Sequence, residues 1–271
     1  MKAVLALALV AAVVGSPAAS GRRPLVAAHR GGALLWPENS LLAYRQALAL
    51  GVDLVETDVH LTADGEVVVV HDPTLDRTTT GRGPVRDATA AALAALRLRG
   101  PDGGPTDEPV PTLGQLLALL RPSRAGLLLE IKVGPDRRPY PGIEEAVLAR
   151  LAEHGLTART RIMAFEPETL ARLRTLAPEV ALVWLVSRRT LEASGRSLTE
   201  AVQWAAGAGL AHLGIEHRLL DAGALAAARA AGISVAAWTV NDEASIRRVV
   251  DLGVDVVITD RPDLALEVVG R

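Results

Sequence analysis

The sequence predicts a (β/α)8 TIM barrel with a small insertion after the second strand. Three observations lead there. The chain has 271 residues, close to the ~250 typical of such a barrel. Short apolar runs alternate with helix-like segments, the pattern of a parallel sheet with crossover helices. Eight such runs occur, which suits closure, and no low-complexity tract or linker separates them.

From the N-terminus, Lys2 precedes an apolar run from Ala3 to Val14, then the breakers Gly15, Ser16 and Pro17, then the small residues Ala18-Ala19-Ser20. That order is the signature of a signal peptide over residues 1–20, so the expectation is export, secreted or periplasmic. The run is shorter than the ~20 apolar residues of a membrane span, so no stable membrane insertion is expected. There are no cysteines, which excludes disulfides, thiolate metal sites, a cysteine nucleophile and a lipobox anchor.

In the mature part, residues 21–271, strands are expected at Leu25–His29, Leu54–Val59, Leu127–Ile131, Arg161–Ala164, Ala181–Val186, His212–Ile215, Ser234–Trp238 and Val256–Thr259. Helices fit between them at Ser40–Leu50, Thr112–Leu120, Ile143–His154, Pro167–Leu176, Leu198–Ala206, Ala222–Ala231 and Asp242–Leu252. Ser40 can cap the first, Pro167 suits a first turn, and Asn241 or Asp242 can cap the last. Gly51, Gly155, Gly232 and Gly253 stand where helices should stop. A further apolar run, Glu66–Val70, follows the second strand after only Ala63-Asp64-Gly65. So short a connection makes an antiparallel hairpin, because a parallel crossover needs a dozen or more residues. With the turn centred between Ala63 and Asp64, His71 folds back opposite Glu56. The Gly-, Pro- and Thr-rich stretch from about 73 to 111 reads as an excursion, not a second domain.

Composition narrows the function. The net charge of -2 argues against a nucleic-acid surface, which usually shows as a basic domain. In TIM barrels the working residues stand at the C-terminal strand ends. Here those ends carry His29-Arg30, Glu56 with Asp58, Glu130 with Lys132, and Trp238. Residues two apart on a strand share a face, so Glu56 pairs with Asp58 and Glu130 with Lys132. Three inward carboxylates are costly to bury unpaired, and a hard divalent cation would satisfy them through oxygen ligands. Taken singly, each residue has an ordinary structural role open to it: a cap, a surface charge, a hydrogen-bonded core histidine, or for Trp238 a plug at the barrel mouth. Taken together, they define a site for an anion.

Beyond these residues, an ordered series of motifs runs along the chain: His29-Arg30-Gly31-Gly32, Pro37-Glu38-Asn39-Ser40, Glu56-Thr57-Asp58-Val59, Thr62 with Asp64-Gly65, His71-Asp72, Glu130-Ile131-Lys132, Trp238-Thr239-Val240-Asn241 and Ile258-Thr259-Asp260. This series resembles the glycerophosphodiester phosphodiesterase family. The resemblance spans Leu25 to Pro262 and implies a metal-dependent hydrolase acting on small-molecule glycerophosphodiesters. It implies one divalent cation, Ca2+ or Mg2+, held at Glu56, Asp58 and Glu130, catalytic histidines at His29 and His71, and phosphate contacts from Arg30 and Lys132. Trp238 is expected to pack against glycerol. The implied reaction is attack by the glycerol 2-hydroxyl, with His29 as base and His71 as acid, then opening of the cyclic phosphate by water. One departure stands out: Ala164 replaces a serine common before the position of Phe165. Two other readings fit the motifs less well. A phospholipase D-like or sphingomyelinase D-like barrel would need an apolar, membrane-facing rim. An inactive barrel that only binds phosphodiesters would have lost a histidine or a carboxylate, and this chain keeps all of them.

Overall fold

The structure, a computed structural model, describes residues 23–271. The expected signal peptide lies outside the described residues. Eight parallel strands close into a barrel: β1 (Leu25–Ala28), β2 (Leu54–Leu61), β4 (Gly126–Ile131), β5 (Thr160–Ala164), β6 (Ala181–Val186), β7 (His212–Glu216), β8 (Ser234–Trp238) and β9 (Val256–Thr259). Pairing of β1 with both β2 and β9 completes the ring. Strand β3 (Val67–Val69) lies antiparallel on β2, the hairpin expected from the short connection. The expected fold class, a TIM barrel, is therefore the observed one.

The outer layer contains α1 (Leu41–Leu50), α3 (Leu113–Leu120), α4 (Ile143–Glu153), α5 (Pro167–Leu176), α6 (Arg188–Ser194), α7 (Leu198–Gly207), α8 (Ala222–Ala230), α9 (Glu243–Leu252) and α10 (Pro262–Val268), while α2 (Ala90–Ala94) belongs to the excursion after β3. Start signals act as chemistry dictates. Ser40 Oγ accepts from Ala43 N, Asp242 caps α9, and Thr112 with Gln115 forms a capping box on α3. Sequence reasoning missed α2, α6 and α10. All three have seven residues or fewer, too few to display a helical apolar period.

Two apolar layers follow from strand alternation. Ala27, Leu54, Leu128, Met163, Val183, Ala236, Val256 and Ile258 fill the barrel interior. Val26, Val55, Leu127, Leu129, Ile162 and Val257 face the helices. A third cluster, with Val68, Leu75, Val85, Leu93 and Leu98, gives the 73–111 excursion its own small core.

The hairpin register differs from expectation by one residue. Val59 pairs with Val69 and Leu61 with Val67. Thr62 and Glu66 close a three-residue loop that ends on Gly65 at φ 80, the left-handed position such loops favour. Continued pairing would set His71 opposite Thr57, whose hydroxyl meets Tyr44 on the helix side. Because the strand ends at Val69 and the chain bends, His71 leaves the ladder and reaches the barrel mouth instead.

Candidate active site

The inward row of each strand continues from apolar interior to polar rim. Ala27 is followed two residues on by His29, Leu54 by Glu56 and Asp58, Leu128 by Glu130 and Lys132, Ala236 by Trp238, and Ile258 by Asp260. The barrel therefore delivers these groups to one mouth. His29, Arg30, Glu56, His71, Glu130, Lys132 and Trp238 line a single pocket of about 120 Å³. Asp58 lies just beneath, fully buried. The structure thus brings together all eight residues singled out in the sequence.

Glu56, Asp58 and Glu130 offer oxygen atoms that all lie within 4.8 Å of one another. Lys132 Nζ donates to Glu130 Oε1 at 2.7 Å and stands 3.4 Å from Asp58 Oδ1. The Arg30 backbone N–H donates to Glu56 Oε2 at 2.9 Å, and Arg30 Nε lies 3.3 Å from Asp58 Oδ2. Three carboxylates thus face two cations. Burial pushes the Glu56 carboxyl well above the usual range, and the charges of Asp58 and Glu130 push the same way. For Asp58 burial acts upward too, but Lys132, His71, Arg30 and His29 outweigh it and hold the group far below the usual range. Asp58 Oδ1 and Arg30 Nε are buried without a hydrogen-bond partner. An orphaned carboxylate oxygen in a crowded acidic trio fits a divalent cation, which would supply the missing partner and relieve the repulsion.

Both histidines carry the same support. His29 Nδ1 donates to Asp260 Oδ1 at 2.6 Å, and His71 Nδ1 donates to Asp72 Oδ1 at 2.7 Å. A carboxylate can only accept, so each Nδ1 bears the hydrogen and each Nε2 is left for proton transfer. His29 Nε2 stands 3.9 Å from Glu56 Oε2. Asp260 is itself fixed: Asn241 Nδ2 donates to Oδ2 at 2.6 Å. Burial raises the Asp260 carboxyl, but its bond to His29 prevails and holds it below the usual range.

A chain of charges links the two halves of the pocket. Arg30 donates to Glu38, Arg77 bridges Glu38 and Asp72, and Asp72 holds His71. Asn39 Nδ2 donates to Asp58 Oδ2 at 3.0 Å, and Tyr44 fixes Asn39. Sequence reasoning gave no place in the site to Asp260, Asn241, Asp72, Glu38, Asn39 or Arg77, and read Asn241 only as a candidate helix cap. A signal existed for Asp260, two residues beyond inward Ile258. Arg77 had none, since it comes from the excursion and belongs to no motif.

Two details bear on specificity. Trp238 packs edge-to-face on Phe165, with centroids 5.7 Å apart, and its buried Nε1 has no partner. Ala164 faces the helix layer, fully buried in the outer core. A serine hydroxyl at this position would therefore point away from the pocket, because its neighbour Phe165 takes the inward face.

A family model for the glycerophosphoryl diester phosphodiesterase family matches residues 29–264. A glycerophosphodiester phosphodiesterase of Caldanaerobacter subterraneus is 32% identical over 251 residues, covering 92% of this chain and 99% of that enzyme. The crystal structure of a glycerophosphodiester phosphodiesterase from Agrobacterium tumefaciens is 30% identical, with TM-score 0.73 over 90% of this chain and 99% of that one. A phosphodiesterase of Oleispira antarctica, solved with the product sn-glycerol-3-phosphate, is 29% identical, with TM-score 0.75 over 92% and 98% of the two chains. The fold and the pocket define a phosphodiester hydrolase on a TIM barrel. The chain belongs to the glycerophosphoryl diester phosphodiesterase family and has that family's activity.

Proposed function

We propose that this enzyme hydrolyses glycerophosphodiesters to sn-glycerol 3-phosphate and an alcohol, with a divalent cation at Glu56, Asp58 and Glu130 and with His29 and His71 as its acid–base pair. One observation carries the reading: two histidines, each with Nδ1 tied to a carboxylate, line the same pocket as Glu56 and Glu130 of the acidic trio. The product in the Oleispira antarctica relative is the one this chemistry yields. The all-oxygen donor set suits Ca2+ or Mg2+, which when bound would neutralise the phosphate oxygens and stabilise charge in the transition state.

The chain's own residues do the rest. Arg30 and Lys132 hold the phosphate, and Trp238 covers the glycerol carbons. His29 Nε2 takes the proton of the glycerol 2-hydroxyl as that oxygen bonds to phosphorus. The bond to the leaving oxygen breaks, and His71 Nε2 gives that oxygen a proton. In the second step His71 takes a proton from water, which attacks the cyclic phosphate, and His29 returns its proton to the 2-oxygen. Asp260 and Asp72 stabilise the imidazolium each histidine becomes in turn.

Glycerol 3-phosphate release from glycerophosphocholine tests this. Activity should vanish on chelation and return with Ca2+ or Mg2+, and full activity after exhaustive EDTA treatment would remove the cation from the scheme. Accumulation of the cyclic phosphate as end product would favour the phospholipase D-like alternative. We also propose export, from the pattern in residues 1–20. The mature protein from its host should begin near Gly21, and an intact cytoplasmic form retaining Met1 would refute this.

A further inference from the structure

The catalytic pocket opens into a second and much larger cleft over the ends of β4, β5 and β6. It measures about 850 Å³, against about 120 Å³ for the pocket itself. His71, Lys132 and Phe165 line both, so they form the boundary between them. His71 is the residue assigned above to protonate the departing oxygen, and it stands at this threshold. Glycerol therefore occupies the small side, under Trp238, and the alcohol leaves into the cleft. Choline or ethanolamine would fill only a fraction of that volume.

The cleft also has a chemical character. Three aromatic rings contribute to its lining: partly buried Phe165, Trp184, which is almost fully buried, and Trp204, which packs on Trp184. Three arginines surround it: Arg137 on the loop after β4, Arg189 on α6, and Arg196 just beyond α6. Arg77 and Arg86 are ion-paired with Glu38 and Asp136. By contrast, none of the three cleft arginines has an ion-pair partner among the described residues, and Arg196 lies over the Trp204 ring at 5.6 Å. Its guanidinium thus occupies the aromatic face a quaternary ammonium would seek. Two carboxylates share the lining, Glu166 and Glu168. Glu166 sits at the inner end near Glu130 and Lys132, and burial pushes its pKa up. The outer cleft therefore presents guanidinium groups with unspent hydrogen-bonding capacity, the groups that recognise phosphate best.

We propose that this cleft is the leaving-alcohol subsite and that it selects alcohols bearing negative charge of their own, with a phosphorylated ring polyol as the type that fits. Phe165, at the boundary with the catalytic pocket, takes a C–H face of the ring, and Arg137, Arg189 and Arg196 take its phosphate. The assignment rests on the reading of His71 as the group facing the leaving alcohol.

The test compares two substrates that differ by one phosphate, glycerophosphoinositol 4-phosphate and glycerophosphoinositol, on the intact metal-loaded enzyme. The phosphorylated substrate should show a kcat/KM about tenfold or more higher, the worth of one charge-assisted contact. Arg137→Gln with Arg189→Gln should abolish most of that preference, the phosphorylated substrate losing about tenfold more kcat/KM than glycerophosphoinositol. Arg196 is kept in this variant because its side chain packs on Trp204. No preference in the wild type, or proportional loss of both substrates in the variant, would overturn the proposal. So would faster turnover of a lysophospholipid than of either soluble diester, since the aromatic lining would then serve a tail. Calorimetric binding of inositol 4-phosphate reads the cleft without turnover and should weaken in the same variant. Arginine-dependent binding without hydrolysis of any glycerophosphodiester would defeat the catalytic scheme and leave the subsite standing. Binding indifferent to both arginines would defeat the subsite.

Discussion

Replacing Asp260 by asparagine should do more harm than replacing it by alanine, and the hydrogen bonds around it say why. Asp260 Oδ2 accepts from Asn241 Nδ2, while Asn241 Oδ1 is committed to the Asp260 N–H at 2.9 Å and faces Thr259 Oγ1 at 3.3 Å. Asn241 therefore cannot turn. In Asp260→Asn the new carbonyl must face Asn241, and the new NH2 must face His29 Nδ1. A donor there forces Nδ1 to accept, which moves the ring hydrogen to Nε2, where His29 needs a free lone pair. Loss of a charge-assisted bond is worth ~1.5–3 kcal/mol, or roughly 10–100-fold in rate. The wrong tautomer adds to that, and in serine proteases the analogous exchange costs about 10⁴. Asp260→Asn should lower kcat/KM on glycerophosphocholine by about 10²–10⁴, mostly through kcat. Asp260→Ala loses the charge but lets the ring choose its tautomer, so it should fall less. Coupled detection of glycerol 3-phosphate supplies the rates, and circular dichroism checks the fold. Activity of Asp260→Asn within a few-fold of wild type, or greater damage from alanine, would refute the tautomer argument.

Three further outcomes are expected. His29→Ala and His71→Ala should each cost about 10²–10⁴ in kcat, and the double variant little more, because the pair acts as a unit; with glycerophospho-p-nitrophenol, which keeps the 2-hydroxyl, only His71→Ala should recover, and equal recovery would reverse the role assignment. Buried His60 is bonded to Tyr140 and to the His71 carbonyl, and burial lowers its pKa from 6.5 to about 4. Between those values the unfolded chain binds more protons, so stability is lost as pH falls through that window, by about 3 kcal/mol in all; urea titrations of His60→Gln should show a flatter dependence there, and an unchanged slope would assign the acid sensitivity elsewhere. Gly31→Ala should destabilise by about 1–3 kcal/mol, since φ is +83 and a Cβ would lie 2.7 Å from Ala43 Cβ; Gly51→Ala, with the same φ and open space around it, should cost less, and equal melting temperatures for the two would discount the clash.

Most of the pocket was legible because a barrel strand writes its inward face in every second residue. Leu54-Glu56-Asp58 and Leu128-Glu130-Lys132 can be read as core, then ligand, without any tertiary knowledge. The hairpin was legible in kind but not in register. The position of Gly65 sets the loop at three residues, and one residue of slip decides which face a strand presents. The supports of the histidines were half legible. Asp72 adjoins His71, but the Arg77 bridge to Glu38 joins residues with no periodic relation. The large cleft was not legible at all. Its arginines come from a loop and a short helix that carry no motif, and only the fold sets them beside His71.

The ends of the described chain meet at the opposite pole of the barrel. Arg23 Nη1 donates to the Gly270 carbonyl at 2.9 Å, and Arg271 Nη2 reaches the Gly51 carbonyl at 2.7 Å. Both points lie below the first residues of β1 and β2, while the reacting groups stand beyond the last. A carrier, resin or reporter joined after Arg271 would hang from the barrel floor and turn the mouth outward, toward bulk solution. A short peptide could likewise bridge Gly270 to Arg23, and new ends could then be opened in the 73–111 excursion with every barrel strand intact.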